Sequence, residues 1–287
     1  MDGYMASQNF RVRILTSVML IVPIAIICYL GGFYFLALMC FISLGASREI
    51  HRLLVPRGLK AAREFLMACV LLILIGAYLD AEYFMVALVG SAGAIFTLSI
   101  LKGRKDISGY SSDVGMSLVL ITILGMMTGC GVLLREMELP VSTEPTAFFL
   151  KNEIGFFFVI IAFLCGAVND SAAYFVGIWK GERKIASGIS PAKTLEGLAA
   201  GLTAAAIGSV VVNSVFGSPF PLWLAILFGL ATGASAITGD LIESAIKRNS
   251  NAKDSGTMLP GHGGLFDRFD GIIFTFPTLY ILAILFF

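Results

Sequence analysis

The sequence predicts an all-α membrane protein that crosses the bilayer about nine times. The chain has 287 residues, of which 57% are hydrophobic and only 14% are charged. Soluble domains carry about 25% charged residues. The apolar residues are grouped in runs that approach the ~20 residues a membrane-spanning helix needs. Such a chain cannot bury its apolar surface in one water-soluble fold, so we expect it to be embedded in a lipid bilayer.

Nine apolar runs are candidate transmembrane helices. They are 14–30, 32–47, 65–79, 83–101, 114–134, 156–178, 195–216, 221–242 and 271–287. The first run follows two arginines, as the apolar part of a signal peptide would. A second run follows almost at once without a clear cleavage site, so we expect the first run to be retained as a span.

The positions of the basic residues predict the orientation of the chain. Cytoplasmic segments of membrane proteins are enriched in Lys and Arg. With a cytoplasmic N-terminus and nine spans, all Lys and Arg residues except Arg135 and Lys151 fall on the cytoplasmic side. The C-terminus is then outside. If one of the early spans were missing, every later loop would change sides and the Lys and Arg residues would no longer lie mainly on one side. The distribution of basic residues therefore favours nine spans.

Net charge and cysteine content point to no nucleic acid partner and no disulfide framework. The net charge is +1, which gives no global field to attract nucleic acid. The five cysteines all lie in apolar runs, none forms a Cys-x-x-Cys pair, and we interpret them as buried small hydrophobic residues.

Glycine spacing predicts close helix packing in the second half of the chain. Gly197 and Gly201 are four residues apart, as are Gly229 and Gly233. Small residues at this spacing let two helices approach closely. A functional role would need a substrate between those helices.

Charged residues in or beside the spans are concentrated after residue 155. A charge at membrane depth is costly and is a functional-site candidate by default. Residues 1–155 offer little of this kind, and we predict that they form a scaffold of N-terminal helices with possible lipid access or dimer contacts. We predict that residues 156–287 form the catalytic transmembrane domain, with its site at the cytoplasmic face.

Two polar segments of this domain precede the richest one. Asn169 and Asp170 lie inside the sixth span, where they either contact a nucleotide or metal or link helices. The loop 180–196 contains glycines, hydroxyls and basic residues including Lys193, which together can wrap a polyphosphate. A basic cytoplasmic loop is also an ordinary topology signal. The Ser190-Pro191 pair and Glu196 are typical of the start of the seventh helix.

The richest cluster joins the eighth and ninth spans. Asp240 and Glu243 are three residues apart, as are Asp267 and Asp270, so each pair lies on one helix face. Lys247 is spaced to pair with Glu243. Carboxylates this close repel each other unless cations lie between them, and oxygen ligands suit Mg²⁺ or Mn²⁺.

The surrounding basic residues favour a cation that arrives with phosphates. Carboxylates, a metal ion and a ring of Lys and Arg are the usual groups for phosphoryl or nucleotidyl transfer. An interfacial salt-bridge network is the structural alternative. His262, between glycines, is a general acid, a donor to phosphate or a turn residue, and it has no Cys or His partner for zinc.

The same residues carry a longer pattern. The chain reads Ser244-Ala245-Ile246-Lys247-Arg248, then Lys253-Asp254, then His-Gly-Gly-Leu-Phe-Asp-Arg-Phe-Asp over 262–270. Every fixed position matches the signature of the phosphatidate cytidylyltransferases, or CDP-diacylglycerol synthases, so the chain resembles that family. The segments 170–177 and 190–197 resemble two weaker family elements, with Ala192 in place of a lysine and one extra alanine in the first.

The resemblance implies a metal-dependent enzyme of the bacterial inner membrane that forms a homodimer and whose partners are CTP, phosphatidic acid and membrane lipids. It implies that Asp240 and Asp267 bind Mg²⁺, with Asp270 close by, and that a monovalent cation such as K⁺ occupies a second position. In the implied reaction the lipid phosphate attacks the α-phosphorus of CTP in line and pyrophosphate leaves.

These arguments give a set of candidate site residues. The predicted catalytic residues are Asp240, Lys247, His262, Asp267, Arg268 and Asp270, and the predicted metal ligands are Asp240, Asp267 and Asp270. The predicted substrate-binding residues are Asn169, Asp170, Ser190, Lys193, Glu196, Arg248 and Lys253. Two other functions remain open: a CTP-dependent polyprenol or lipid kinase, and an ion-coupled secondary transporter.

Overall fold

The protein is described by a computed structural model that covers residues 22–102, 109–138, 154–218, 220–258 and 263–286. The prediction for His262 lies outside these described residues. So do Arg11, Arg13 and Lys151, on which part of the orientation argument depends.

The described chain is helical almost throughout. The helices are α1 (22–30), α2 (Gly32–Leu54), α3 (Arg63–Leu79), α4 (Ala81–Lys102), α5 (Tyr110–Ile121), α6 (Thr128–Arg135), α7 (Ile154–Lys180), α8 (Leu195–Val215), α9 (Leu222–Asn249) and α10 (Phe266–Phe286). A π-helical turn, Thr122–Met127, joins α5 and α6 into one helix.

Seven helices of the described chain are long and apolar enough to cross a membrane. They are α2, α4, the joined α5–α6, α7, α8, α9 and α10. The all-α, multi-span membrane class is therefore confirmed. Of the two other predicted spans, α3 has 17 residues and the first run is described only from residue 22. The number nine and the orientation remain predictions.

Two helices extend well beyond their predicted ends. The apolar run 32–47 continues as helix to Leu54, and the run 221–242 continues to Asn249. Hydropathy places a boundary where charges begin, but Glu, Lys and Arg are good helix formers and need not end a helix. The last turns of α2 and α9 therefore carry charged residues on regular helical positions rather than on loops.

The loop between α7 and α8 contains a small β-hairpin that the all-α prediction omits. Strand β1 (Lys184–Ala186) pairs antiparallel with β2 (Ser190–Thr194). Strands this short carry no hydrophobic periodicity to predict them. The interpretation of Ser190-Pro191 as a helix start is wrong, since Thr194 caps α8 by accepting from the Gly197 N–H at 3.2 Å.

Glycines bring α7, α8 and α9 close together, as their spacing predicts. A Cβ on Gly201 of α8 would lie 2.7 Å from Asn169 Oδ1 of α7. A Cβ on Gly229 of α9 would lie 2.5 Å from the carbonyl oxygen of Ala205. Neither position has room for a side chain, so the packing interpretation is confirmed and the backbones are held at short range.

The N-terminal helices pack directly on α10. A Cβ on Gly131 would lie 2.8 Å from the Phe276 ring, and one on Gly45 would lie 2.7 Å from Leu265 Cδ2. Gly45 and Glu49 are four residues apart on α2 and share a face. The packing of α2 therefore directs Glu49 toward the segment where α10 begins. The division into a scaffold and a catalytic domain at residue 155 remains a prediction.

Candidate active site

A cavity of about 450 Å³ lies between α7, the β-hairpin, α8, α9 and α10. Its polar lining residues are Asp170, Tyr174, Ser190, Lys193, Thr194, Asp240, Glu243, Ser244, Lys247, Asp267 and Asp270. These residues come from distant parts of the sequence, and most were predicted separately as site residues. The fold thus assembles the two weaker segments and the main cluster around one space.

Three carboxylates converge in this cavity. Asp240, Glu243 and Asp270 each offer one oxygen atom within 4.8 Å of the others. Asp240 and Glu243 lie on one face of α9, as predicted from their spacing, and Asp270 faces them from α10. Like charges this close disfavour one another. The donor set is all oxygen, which fits Mg²⁺ or Mn²⁺ rather than zinc.

Two lysines of the described chain form ion pairs with carboxylates that line the cavity. Lys193 Nζ lies 2.7 Å from Asp240 Oδ2 and donates to the Ile237 carbonyl oxygen at 3.3 Å. Lys247 Nζ lies 2.5 Å from Glu243 Oε1 and 3.1 Å from Asp267 Oδ1. The β-hairpin therefore delivers one ammonium group to the carboxylates, and α9 delivers the other.

Asp267 differs from the other carboxylates in the donors that it accepts. Its oxygens accept hydrogen bonds from the backbone N–H of Ser255 at 3.1 Å and of Gly264 at 2.9 Å, besides the bond from Lys247. Gly264 N–H lies just before α10, where backbone donors lack helical partners. Asp267 thus fixes the polypeptide at the start of α10 while it lines the cavity.

Asn169 lies behind the cavity rather than in it. The side chain is fully buried, and its Nδ2 donates to Asp170 Oδ1 at 3.1 Å. The oxygen of the same amide has no hydrogen-bond partner among the described atoms and faces Gly201 and Gly233. Asn169 therefore holds Asp170, which does line the cavity.

Other predicted site residues, among them the predicted catalytic residue Arg268, lie outside the cavity lining. Arg248 is exposed and donates to the Ala252 carbonyl oxygen at 3.1 Å, and Lys253 and Arg268 are also exposed. Glu196 accepts from the backbone N–H of Glu182 at 3.1 Å and of Arg183 at 3.3 Å, and so joins α8 to the hairpin. This assembly brings together seven of the predicted residues: Asp170, Ser190, Lys193, Asp240, Lys247, Asp267 and Asp270.

Sequence reasoning missed two carboxylates. Glu243, 2% exposed, was noted for its spacing but left out of the ligand set. Glu49, 6% exposed, lies in the half of the chain judged poor in functional charge. A signal was available for Glu49, which is the one acidic residue between Asp2 and Glu64 and follows an apolar run.

Comparison with known proteins identifies the family of this chain. The sequence model of the cytidylyltransferase family matches residues 11–286. The chain is 30% identical to a phosphatidate cytidylyltransferase of Synechocystis over 290 aligned residues, which cover 95% of this chain and 96% of the relative. It is 42% identical over 135 residues to a Bacillus subtilis phosphatidate cytidylyltransferase.

The Bacillus match covers 47% of this chain and 50% of the relative. A Staphylococcus haemolyticus phosphatidate cytidylyltransferase is 38% identical over 137 residues, which cover 48% of this chain and 53% of that protein. In these two matches the aligned part spans about half the length of the relative, whereas the family model and the Synechocystis match extend over almost the whole chain. The chain therefore belongs to the cytidylyltransferase family.

Proposed function

We propose that the protein is a phosphatidate cytidylyltransferase, which transfers CMP from CTP to phosphatidic acid and gives CDP-diacylglycerol and pyrophosphate. The observation that carries the proposal is the convergence of three carboxylates and two lysines in one cavity, in a chain of this family. Relatives named for this activity support the choice of substrates.

The chemistry needs positioning and charge neutralisation more than a base. The phosphate of phosphatidic acid is already anionic near neutral pH, so it can attack without losing a proton to the protein. Lys193 and Lys247 point their ammonium groups into the cavity, where they would neutralise phosphate oxygens. Ser190 and Thr194 offer hydroxyl groups from the hairpin side. Asp170, held by Asn169, would accept from ribose or base.

A divalent cation fits the carboxylates of this cavity. Asp240 and Asp270 belong both to the predicted ligand set and to the cluster in the fold, and we add Glu243 to them. Asp267 stays a candidate ligand whose carboxylate also accepts N–H donors. Bound Mg²⁺ or Mn²⁺ would supply charge neutralisation at the reacting phosphates. We keep a second, monovalent cation such as K⁺ as part of the proposal.

The finer features of topology and assembly are also proposals. We place the protein in the bacterial cytoplasmic membrane, as a homodimer with nine spans and a cytoplasmic active site. The concentration of Lys and Arg on that side supports the orientation and the number of spans, and the family resemblance supports the homodimer. A site at this interface lets the lipid present its headgroup while its acyl chains stay in the bilayer, and lets CTP arrive from the cytosol.

A labelling experiment tests this orientation. Lys253 is exposed on the segment between α9 and α10. A Lys253→Cys variant should react with a membrane-impermeant thiol reagent in inside-out vesicles and stay unlabelled in intact spheroplasts. Wild-type protein, with its native cysteines, measures the background. Labelling from the periplasmic side would reject the proposed orientation.

The activity itself is tested with purified protein in detergent, phosphatidic acid and labelled CTP. We expect CDP-diacylglycerol and pyrophosphate in equal amounts. In a parallel assay with a polyprenol as acceptor, a CTP-dependent lipid kinase would release CDP instead, and a transporter would release no product in either assay. Either of those results would reject the proposed function.

A further inference from the structure

The carboxylate of Glu49 is buried against the segment that begins α10. Its Oε1 accepts from the Leu265 N–H at 2.9 Å, and its Oε2 accepts from the Phe266 N–H at 2.9 Å. Oε2 also accepts from the Ser255 hydroxyl at 2.9 Å. The first N–H group belongs to Leu265, the residue just before α10, and the second belongs to Phe266, the first residue of α10. Backbone donors at a helix start have no helical acceptor, and a carboxylate is a strong acceptor there.

The surrounding backbone leaves room for this carboxylate and little else. A Cβ on Gly256 would lie 2.4 Å from Glu49 Oε1. A Cβ on Gly264 would lie 2.5 Å from Glu49 Oε2 and 2.1 Å from Ser255 Oγ. The second glycine of the His-Gly-Gly motif is therefore explained by its approach to Glu49, a residue of the distant N-terminal half.

Glu49 and Asp267 hold the same segment through alternating donors. Ser255 donates its hydroxyl to Glu49 and its N–H to Asp267. Gly264 N–H bonds Asp267, and the next N–H, of Leu265, bonds Glu49. Asp267 also forms an ion pair with Lys247, which in turn pairs with Glu243 in the cavity. A continuous set of hydrogen bonds and ion pairs thus joins α2 to the carboxylate cluster.

The start of α10 also sets the position of Asp270. Asp270 is four residues beyond Phe266, so it lies one helical turn from the N–H group that Glu49 accepts. A shift in the first turn of α10 would move Asp270 relative to Asp240 and Glu243. Reacting groups tolerate little displacement, since a misplacement of about 1 Å can cost about 100-fold in rate.

We infer that Glu49 is a positioning residue for the reaction: it fixes the first turn of α10 and thereby places Asp267 and Asp270 at the cavity. This inference rests on the proposed function, because the kcat and Mg²⁺ measurements that test it assume cytidylyltransferase activity. Glu49 itself touches no substrate in this role, because it acts through the backbone N–H groups of Leu265 and Phe266 and the hydroxyl of Ser255.

The test is Glu49→Gln in purified protein. The glutamine amide keeps the shape of the side chain but can accept through one atom only, so at least one of the three donors faces an NH₂ group. We expect kcat to fall by at least about tenfold. The Mg²⁺ concentration for half-maximal activity should rise by about tenfold or more, the effect typical of groups that orient metal ligands.

A second readout needs no turnover. Hydrogen–deuterium exchange should become faster in the peptide that contains Leu265 and Phe266, while the other helices keep wild-type exchange. A role in general stability would instead speed exchange throughout the protein. It would lower kcat only in proportion to the folded fraction and leave the Mg²⁺ requirement unchanged.

The chain offers a matched control in Asp113. This residue is also buried in the N-terminal half and accepts from the N–H of Lys60 at 2.6 Å and of Ala61 at 2.9 Å, and from the Ser99 hydroxyl at 3.1 Å. It does not line the cavity. Asp113→Asn should therefore disturb a comparable set of bonds and leave the Mg²⁺ requirement at the wild-type value.

The outcomes separate the two proposals. If Glu49→Gln behaves like Asp113→Asn in Mg²⁺ requirement and exchange, the positioning role is wrong. If wild-type protein makes no CDP-diacylglycerol, the proposed function is wrong, and exchange still decides whether Glu49 holds the start of α10. Should Glu49→Gln fail to fold, Ser255→Ala removes one of the three donors and should change both readouts in the same direction, by less.

Discussion

The carboxylates around the cavity fall into two groups that differ in their donors. Asp240 and Glu243 are neutralised by the ammonium groups of Lys193 and Lys247, and Asp270 lies beside them. Glu49 and Asp267 accept backbone N–H groups from the segment that precedes α10 and from its first turn, and Asp267 also accepts from Lys247. A lysine on a flexible stem can move to a phosphate, whereas a buried backbone donor has no other acceptor.

The difference in donors suggests two roles: the carboxylates paired with lysines bind ligands, and those bonded to backbone N–H groups hold the polypeptide in position. The first group can exchange its partners when a cation and phosphates enter, so it suits transient ligands. The second group would leave buried N–H groups unpaired if it moved, at a cost of about 1–3 kcal/mol for each. We therefore expect substitutions in the two groups to have different effects on activity and on stability.

Asp240→Asn should give the largest loss. Removing a ligand of the proposed cation forfeits several kcal/mol of charge stabilisation, which corresponds to about a 1000-fold lower kcat/KM. The unfolding midpoint in detergent should change little, because two effects oppose each other. The substitution removes the ion pair with Lys193, but it also removes the repulsion between Asp240 and the neighbouring carboxylates. Initial rates with labelled CTP and thermal unfolding measure the two effects.

The exposed Asp80→Asn is the matched control for this substitution and should retain full activity, since Asp80 does not line the cavity. Chelation of divalent cations should stop wild-type turnover, and added Mg²⁺ should restore it. Turnover that continues in excess chelator would contradict the assignment of a divalent cation to these carboxylates.

Asp267→Asn should reduce both activity and stability. The asparagine accepts through one oxygen only, so Lys247, Ser255 N–H and Gly264 N–H cannot all keep an acceptor. We expect kcat/KM to fall about 100-fold and the free energy of unfolding to fall by about 1–3 kcal/mol. Rates and unfolding are measured as for Asp240. Wild-type activity in this variant would remove Asp267 from both the ligand set and the positioning group.

Arg248→Gln should have the smallest effect. The guanidinium is exposed and donates to the nearby Ala252 carbonyl oxygen, outside the cavity lining. Surface substitutions of this kind usually change stability by less than about 0.5 kcal/mol, and we expect a change in KM for CTP of less than about threefold. A loss of affinity as large as that expected for a cavity residue would mean that CTP extends beyond the cavity to α9's last turn.

The candidate site was predictable in part because its central residues are close in sequence. The spacing of Asp240 with Glu243, and of Asp267 with Asp270, is a local property of a helix, and the structure places members of both pairs in one cavity. The motif around Arg248 and Lys253 suggested binding residues as well, but side chains on a helix end can face away from a cavity that their neighbours line. Their direction follows from packing, which the motif does not encode.

The sequence by itself determined that this is an all-α membrane protein with a charged site in its second half. Apolar runs and helical spacing are local, and lipid forces each run to satisfy its backbone internally. Only the tertiary structure decided that Lys193 meets Asp240, that a hairpin carries Lys193 to the cavity, and that Glu49 holds the start of α10. Glu49 and Ser255 are 206 residues apart in sequence, and helix packing alone brings them together.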